Sequence, residues 1–410
     1  MTLRHAMRMG ALVLGAPILL VSACAPSAPD KGGTPSLPTT VVTTPARTPP
    51  SGTSASASSV TPSTATPSLA ATSSAAPDPA WEALDQAQRG CADGPASPVS
   101  IAGIKGADLV AVNDCAGLLN GVDPASNTVI AVGSRTGVNV FQSIPASLWS
   151  AQVVPVPDGF WLAGSLLPDQ QAGLWLMRRD GPVKVSLPSG LLGFDAIAVD
   201  GSRLLAAAEI GEPGVMIPAN DSVLLSVTPD GTVTTLKTFP QTGIEAIATD
   251  GTHILLGLRG SGTVTVAAYS GKDWTETRLG PGAQLGGVAV SGDTFVVTYN
   301  EQSQGEAAAV DTAVSRDGGA TWTQTRVEGG YGTGLWARPD GTVAGQLFLP
   351  DSPGSVLYTL TSAGGWKPLA GGPSGGSEQP SVSLARCGFW SSDPGSGTLA
   401  YTPLPGACPT

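Results

Sequence analysis

Histidine is almost missing from this chain: among 410 residues only His5 and His253 carry an imidazole. There is no H-E-x-x-H and no C-x-x-C, so the familiar zinc ligand sets are excluded, and we expect no metal and no cofactor. A Ser-His-Asp triad would have to use His253, which directly follows the Asp250-Gly251 turn and reads as an ordinary strand-end residue. Positive charge is scarce too. Lys and Arg number 20 against 31 Asp and Glu, for a formal charge of −11. That balance argues against nucleic acid as a partner and leaves no basic cluster to favour anionic lipid headgroups. No apolar run is long enough to span a bilayer comfortably.

What is present begins with a targeting segment. Arg4 and Arg8 form a positive n-region, residues 11–20 a short apolar h-region, and Val21-Ser22-Ala23-Cys24 closes it. V-S-A-C resembles the lipobox of bacterial lipoproteins. The resemblance implies that residues 1–23 are a signal peptide and that Cys24 carries the acyl chains, palmitate among them. It further implies a lipid anchor in the cytoplasmic membrane with the protein on the extracytoplasmic side. Removing residues 1–23 takes away two Arg and no acid, leaving 18 bases against 31 acids, or −13.

Residues 24–80 are almost wholly Ser, Thr, Pro, Ala and Gly, with no aromatic residue and no apolar periodicity. Such a segment cannot offset its ordering entropy and reads as a disordered tether, with a root-mean-square reach of roughly 40 Å if flexible. Composition shifts at Trp81, where residues 81–89 read as a short helix introducing the globular part, 81–410. Besides Cys24 there are Cys91, Cys115, Cys387 and Cys408. An even count in an exported protein points to two disulfides. The local pairs Cys91–Cys115 and Cys387–Cys408 are favoured over pairings that tie the chain ends together.

The globular part repeats. Ala-Ile-Ala-Val-Asp-Gly at 196–201 recurs as Ala-Ile-Ala-Thr-Asp-Gly at 246–251 and more loosely as Gly-Val-Ala-Val-Ser-Gly at 287–292. Turn residues Asp158, Asp200, Asp250, Ser291 and Asp340 fall 42, 50, 41 and 49 apart. A second turn series interleaves with them, at Asp180-Gly181, Asp230-Gly231, Ser270-Gly271, Asp317-Gly318 and Gly364-Gly365. The unit is therefore strand A, tight turn, strand B, longer loop, strand C, tight turn, strand D. A period in the forties built this way predicts an all-β fold, a β-propeller of four-stranded antiparallel blades. Strand B is nearly continuously apolar, as at 204–208 and 254–258, which fits blades buried on both faces. Five units are clear; residues 98–145 supply another, and 381–404 with the N-terminal segment would complete seven, with six blades the alternative.

Residues 315–322 read S-x-D-x-G-x-T-W, carried by Ser315, Asp317, Gly319, Thr321 and Trp322. This spelling resembles the Asp-box, or BNR repeat, of sialidases and related propellers, where the Asp bonds backbone amides of a tight turn and the Trp anchors the returning strand. Sialidases of that fold imply an arginine triad, a Tyr–Glu nucleophilic pair, an Asp acid/base and an Arg-Ile-Pro motif. No Arg-Ile-Pro occurs here, and no Arg lies between Arg89 and Arg135. The resemblance covers the repeats and not the catalytic set, so no catalytic residue is assigned.

Candidate binding residues are acids. Asp195 and Glu245 each lie five residues before an A–B turn in consecutive units, which should bring both to the mouth of the central channel, where a carboxylate pair could bind or do acid/base work. The B–C and D–A loops, longer and less regular than the turns, should carry Glu209, Glu212, Asp221, Glu301 and Glu306 and form the recognition face. The resulting expectation is a monomeric, membrane-anchored binding or scaffolding propeller with a protein or glycan partner. A glycoside hydrolase or lyase of sialidase-like fold is the alternative. Because some Asp-box propellers serve photosystem assembly, an assembly factor for a membrane complex is a further one.

Overall fold

The structure, a computed structural model, describes residues 79–89 and 99–405 apart from short connecting segments such as 212–220. The signal peptide, the tether up to residue 78, Cys24, Cys91, Cys408 and Glu212 lie outside the described residues, and the last two residues assigned to the tether open a helix. Helix α1 (Pro79–Arg89) opens the described chain, with a Pro at its first position and Glu82 in its first turn, both suited to a helix N-terminus. Strand β1 (Val99–Ser100) follows.

Seven four-stranded antiparallel sheets then account for the remainder. Blade 1 holds β2 (Lys105–Ala111), β3 (Ala116–Val122), β4 (Thr128–Ser134) and β5 (Gly137–Ile144). Blade 2 holds β6 (Leu148–Val156), β7 (Gly159–Leu166), β8 (Gln171–Arg178) and β9 (Gly181–Lys184). Blade 3 holds β10 (Leu191–Asp200), β11 (Arg203–Ile210), β12 (Asp221–Val227) and β13 (Val233–Phe239). Blade 4 holds β14 (Gly243–Thr249), β15 (Ile254–Arg259), β16 (Thr263–Tyr269) and β17 (Trp274–Pro281). Blade 5 holds β18 (Gln284–Ser291), β19 (Thr294–Ser303), β20 (Glu306–Ser315) and β21 (Thr323–Glu328). Blade 6 holds β22 (Tyr331–Ala337), β23 (Val343–Phe348), β24 (Leu357–Leu360) and β25 (Trp366–Pro368). Blade 7 holds β26 (Ser381–Leu384), β27 (Gly388–Asp393) and β28 (Thr398–Pro403), and β1 pairs with β28 to complete it. The architecture is a seven-bladed propeller, in which the two turn series mark blades 2 to 6, and the six-bladed alternative falls.

The core is a set of layers between blades. On β11, Leu204, Ala206 and Ala208 pack toward blade 2 while Leu205 and Ala207 pack toward blade 4. Both faces of one strand are buried, so in/out alternation of polarity disappears, and each fully buried Leu contributes about 2 kcal/mol. Helix α1 joins one such layer. Trp81, Leu84 and Ala87, spaced three apart, sink between blades 1 and 2, Trp81 stacks on Phe160 with ring centroids 6.4 Å apart, and Asp85 pairs with Arg179.

Ring closure rests on more than the two residues of β1. At the blade 1–blade 7 junction Asp114 Oδ1 accepts hydrogen bonds from the Cys387 amide and the Tyr401 hydroxyl, both at 2.7 Å. The Trp390 indole donates to the Asn113 carbonyl at 2.9 Å, and the Ala111 amide donates to Ser383 Oγ at 2.9 Å.

The A–B and C–D turns share one end of the propeller. The Gly318 amide donates to the Asp293 carbonyl at 3.0 Å, the Gly292 amide to Asp250 Oδ2 at 2.9 Å, and Arg316 to the Ser362 carbonyl at 2.9 Å. These bonds stitch turn to turn, within blades and between them. The arginine–aspartate pair at α1 joins the same end, because Arg179 lies in the C–D turn of blade 2.

Candidate functional site

Seven inner strands cannot all run straight into one axis, and several break register near their channel entrances. In β10 Phe194 pairs with Ala208 and Ala196 with Ala207, leaving Asp195 bulged. In β14 the bulged residue is Glu245, in β18 Gly286, and in β22 Thr333. A β-bulge re-aims the side chain it carries. Here the same repeat position lines one cavity in four consecutive blades, and in blades 3 and 4 it carries the carboxylates Asp195 and Glu245.

Side-chain amides satisfy the backbone that these and other bulges disturb. Asn120 Nδ2 donates to the Ala151 carbonyl at 2.8 Å, and Gln152 Nε2 donates to the Phe194 and Asp195 carbonyls at 3.1 and 3.0 Å. The fully buried Asn300 donates to the Gly332 carbonyl and accepts from the Gly332 amide, each at 2.8 Å. Asn300 faces Gln284 across the ladder; the equivalent place in blade 3 is Glu209, facing Gly193, and in blade 4 Arg259, facing Gly243. Blades 3 and 4 thus carry charges where blade 5 carries a structural amide.

The consequence is a cavity of about 560 Å³ at the channel mouth, lined among others by Asp195, Glu245, Arg259, Gln284, Gly286 and Thr333. Its two walls differ. Blades 3 and 4 present carboxylates and a guanidinium, with Arg259 Nη1 3.2 Å from Glu245 Oε1. Blades 5 and 6 present no charge, with Gly286, Gly287 and Gly334 set among uncharged side chains such as Gln284 and Thr333. Gly286 and Gly287 are there because the strands touch: a Cβ on Gly286 would lie 2.8 Å from the Gly332 carbonyl oxygen, and one on Gly287 2.9 Å from the Leu335 amide.

Asp195 is open to the channel, yet protein surrounds it on most sides. Its carboxyl is pushed up to about 6, first by desolvation, then by Glu209 and Glu245, with Arg259 pulling the other way. An acid that exchanges its proton near pH 6 in a cleft can bind a cation or serve acid/base chemistry.

The other expected residues lie elsewhere. Glu209, Asp221, Glu301 and Glu306 belong to strand ends and not to loops, because the ladders run further than polarity suggests. Asp221 accepts from the Gln241 amide at 2.8 Å. Glu301 is engaged by Arg326, which also holds Asp311 at 2.9 Å and Glu328 at 2.7 Å. Glu209 acts on Asp195 electrostatically, whereas Asp221 and Glu301 do not line the cavity. Arg259, Gln284 and Thr333 escaped the sequence reading. The signal that could have found Arg259 is its alignment with Asn300 once the units are superposed on their bulges.

The turn at 315–322 is at the opposite end. Asp317 Oδ1 accepts from the Ser315 hydroxyl at 2.7 Å and the Thr321 amide at 2.9 Å, and Asp317 Oδ2 from the Thr321 hydroxyl at 2.6 Å. The Thr321 bonds above all pull the Asp317 carboxyl down to about 2. The Gly319 amide donates to Ser315 Oγ at 2.8 Å and the Trp322 indole to the Gly319 carbonyl at 3.1 Å. Gly319 has φ +93°, and a Cβ there would meet Ala268 Cβ at 2.6 Å, so both conformation and space require glycine. The side chains of this turn are spent on the turn itself.

No protein-family model matches the chain, and no curated relative is found. Solved structures do match. Oligogalacturonate lyase in complex with manganese superposes with a TM-score of 0.51 at 10% identity, over 76% of this chain and 92% of the lyase. The oligogalacturonate lyase of Vibrio parahaemolyticus gives 0.51 at 10% identity, over 77% and 93%. A puromycin-hydrolyzing peptidase of Mycobacterium tuberculosis gives 0.47 at 12% identity, over 74% of this chain and 54% of the peptidase, so the chain spans about half that protein. The fold is a β-propeller. At these identities the likeness extends to the fold alone.

Proposed function

We propose that this chain is an extracytoplasmic propeller, tethered to the cytoplasmic membrane through a lipidated Cys24, that binds a protein or glycan partner at its channel mouth. The observation that carries the reading is the cavity of about 560 Å³, formed where four consecutive bulged strands meet and where blades 3 and 4 replace structural amides with charges. Its size falls in the range of ligand sites. The 315–322 turn enters as an Asp-box with a structural role, since its hydrogen bonds are internal. Two disulfides complete the reading, with Cys91–Cys115 and Cys387–Cys408 the favoured pairs; the bonded state of Cys115 and Cys387 supports disulfides without choosing their partners. We take the working unit to be the monomer.

Thr333→Trp tests the site by filling the cavity without changing charge. The wild-type lipoprotein, captured from detergent-solubilised membranes, should bring down a partner that Thr333→Trp loses, while a variant altered at the turn face, Arg316→Ala, keeps it. Equal capture by all three would refute the site. Cys24→Ser should shift the protein from membrane to medium or block its processing; a processed mutant still retained in membranes would refute the anchor.

A second reading, a glycoside hydrolase or lyase, draws on one observation, the Asp195 carboxyl held at about 6 beside Glu245. It predicts bond cleavage in neutral or basic oligosaccharides that Asp195→Asn abolishes.

A further inference from the structure

The cavity has opposed walls, and its charge is unbalanced. Its lining carries two carboxylates, Asp195 and Glu245, and one guanidinium, Arg259, which is already committed to Glu245 at 3.2 Å, while Glu209 acts on Asp195 through its charge. Among the described residues no donor reaches the Asp195 carboxylate, although Gln152 binds its backbone carbonyl at 3.0 Å. An anionic ligand would add to the repulsion that already raises Asp195, whereas a cation placed beside it would relieve that repulsion. Among the described residues no three metal-binding side chains converge on one point, so the carboxylates are too dispersed to close around a metal ion. Across from them, Gly286 and Thr333 leave room for the body of an organic molecule.

Two features besides acidity single out this place. The residue that points inward is the bulged residue of its strand, so the fold spends a break in the ladder to present it. The neighbouring ladder positions, Glu209 and Arg259, depart from the amide that blade 5 uses there to hold its neighbour's backbone.

We infer that the channel mouth takes an organic ligand bearing a primary ammonium group, which docks against Asp195 opposite the glycine-lined wall. The inference rests on the channel mouth being the binding site. The ammonium could belong to a lysine side chain or to a free polyamine, and the shared chemistry is what the site reads. Occupancy then depends on pH, because a proton competes for the same carboxylate. The charged groups facing it are Glu209 on its own blade and Glu245 and Arg259 on the next.

Calorimetric titration tests this on the full chain in detergent, with trilysine, spermidine, trilysine acetylated at its α- and all ε-amines, and magnesium chloride as probes. Trilysine or spermidine should bind at pH 7.5, the stronger of the two naming the source, and the acetylated peptide should not. Asp195→Asn should weaken binding at least tenfold, and Arg259→Gln should strengthen it several-fold. With the carboxyl at about 6, wild-type affinity should fall about tenfold between pH 7.5 and pH 5, while Asp195→Asn stays flat. Equal binding of the acetylated peptide, magnesium binding alone, or an Asp195→Asn variant that binds like wild type overturns the inference. Partner capture separates the two levels. If Thr333→Trp, or Gln284→Trp should the first not fold, loses the partner while Asp195→Asn retains it, the site stands and the ammonium reading falls. If both retain the partner, both fall.

Discussion

Asn300 offers a direct test of how blades hold one another. Its side chain is fully buried, and its amide makes two hydrogen bonds of 2.8 Å to the backbone of Gly332 on the next blade, one donated and one accepted. Asn300→Ala strands the Gly332 N–H and C=O without partners in a dry interface. Each buried unsatisfied backbone group costs about 1–3 kcal/mol, so the loss of both should be about 2–6 kcal/mol. With an unfolding entropy near 2.1 cal/mol/K per residue over about 310 residues, a 4 kcal/mol loss lowers the melting temperature by about 6 °C. Asn300→Leu keeps the volume and should cost nearly as much, which separates hydrogen bonding from packing. Asn120→Ala, which removes one bond to the half-buried Ala151, should cost about 1–2 kcal/mol. Urea denaturation followed by tryptophan fluorescence and far-UV circular dichroism gives the three values. Asn300→Leu within about 1 kcal/mol of wild type, or Asn120→Ala as costly as Asn300→Ala, would refute the argument that these amides exist to satisfy the neighbouring backbone.

Leu84→Ala should cost about 2–5 kcal/mol through the void left between blades 1 and 2, and limited proteolysis should then cut within 79–89 faster than in the wild type. Asp317, with its carboxyl held down at about 2, contributes stability that is complete above the ordinary carboxylate range and lost as pH falls through 2. Asp317→Ala should therefore destabilise at pH 7 with no effect on ligand binding, and unchanged melting would count against the turn's role. Asp195 has the opposite sign: its carboxyl is raised to about 6, so its charge opposes folding, an effect that builds as pH rises from the ordinary carboxylate range to 6 and is complete above it. Asp195→Asn should raise the melting temperature at pH 7.5 and leave it unchanged at pH 4; the reverse order would refute the desolvation argument. Non-reducing peptide mapping should find the Cys91–Cys115 and Cys387–Cys408 links and no free thiol, each link worth about 2–4 kcal/mol.

Five of the seven blades were legible in the sequence because turns are local. Asp250-Gly251 and Asp317-Gly318 need only a glycine at positive φ and an Asp that reaches amides a few residues on, and such requirements repeat at a readable period. The apolar run of β11 announced its own double burial for the same reason: two blades cover it whatever they are. Counting back from the turns also put Asp195 and Glu245 at one place. What the count could not reveal was the bulge that turns them into the channel, since a bulge leaves no spelling of its own and arises where inner strands crowd the axis. Nor could it show Arg259 facing Glu245 from the adjacent strand, or Glu301 committed to Arg326 instead of a partner. Those pairings join residues that sequence separates, and only the packing of one strand beside another and one blade against the next decided them.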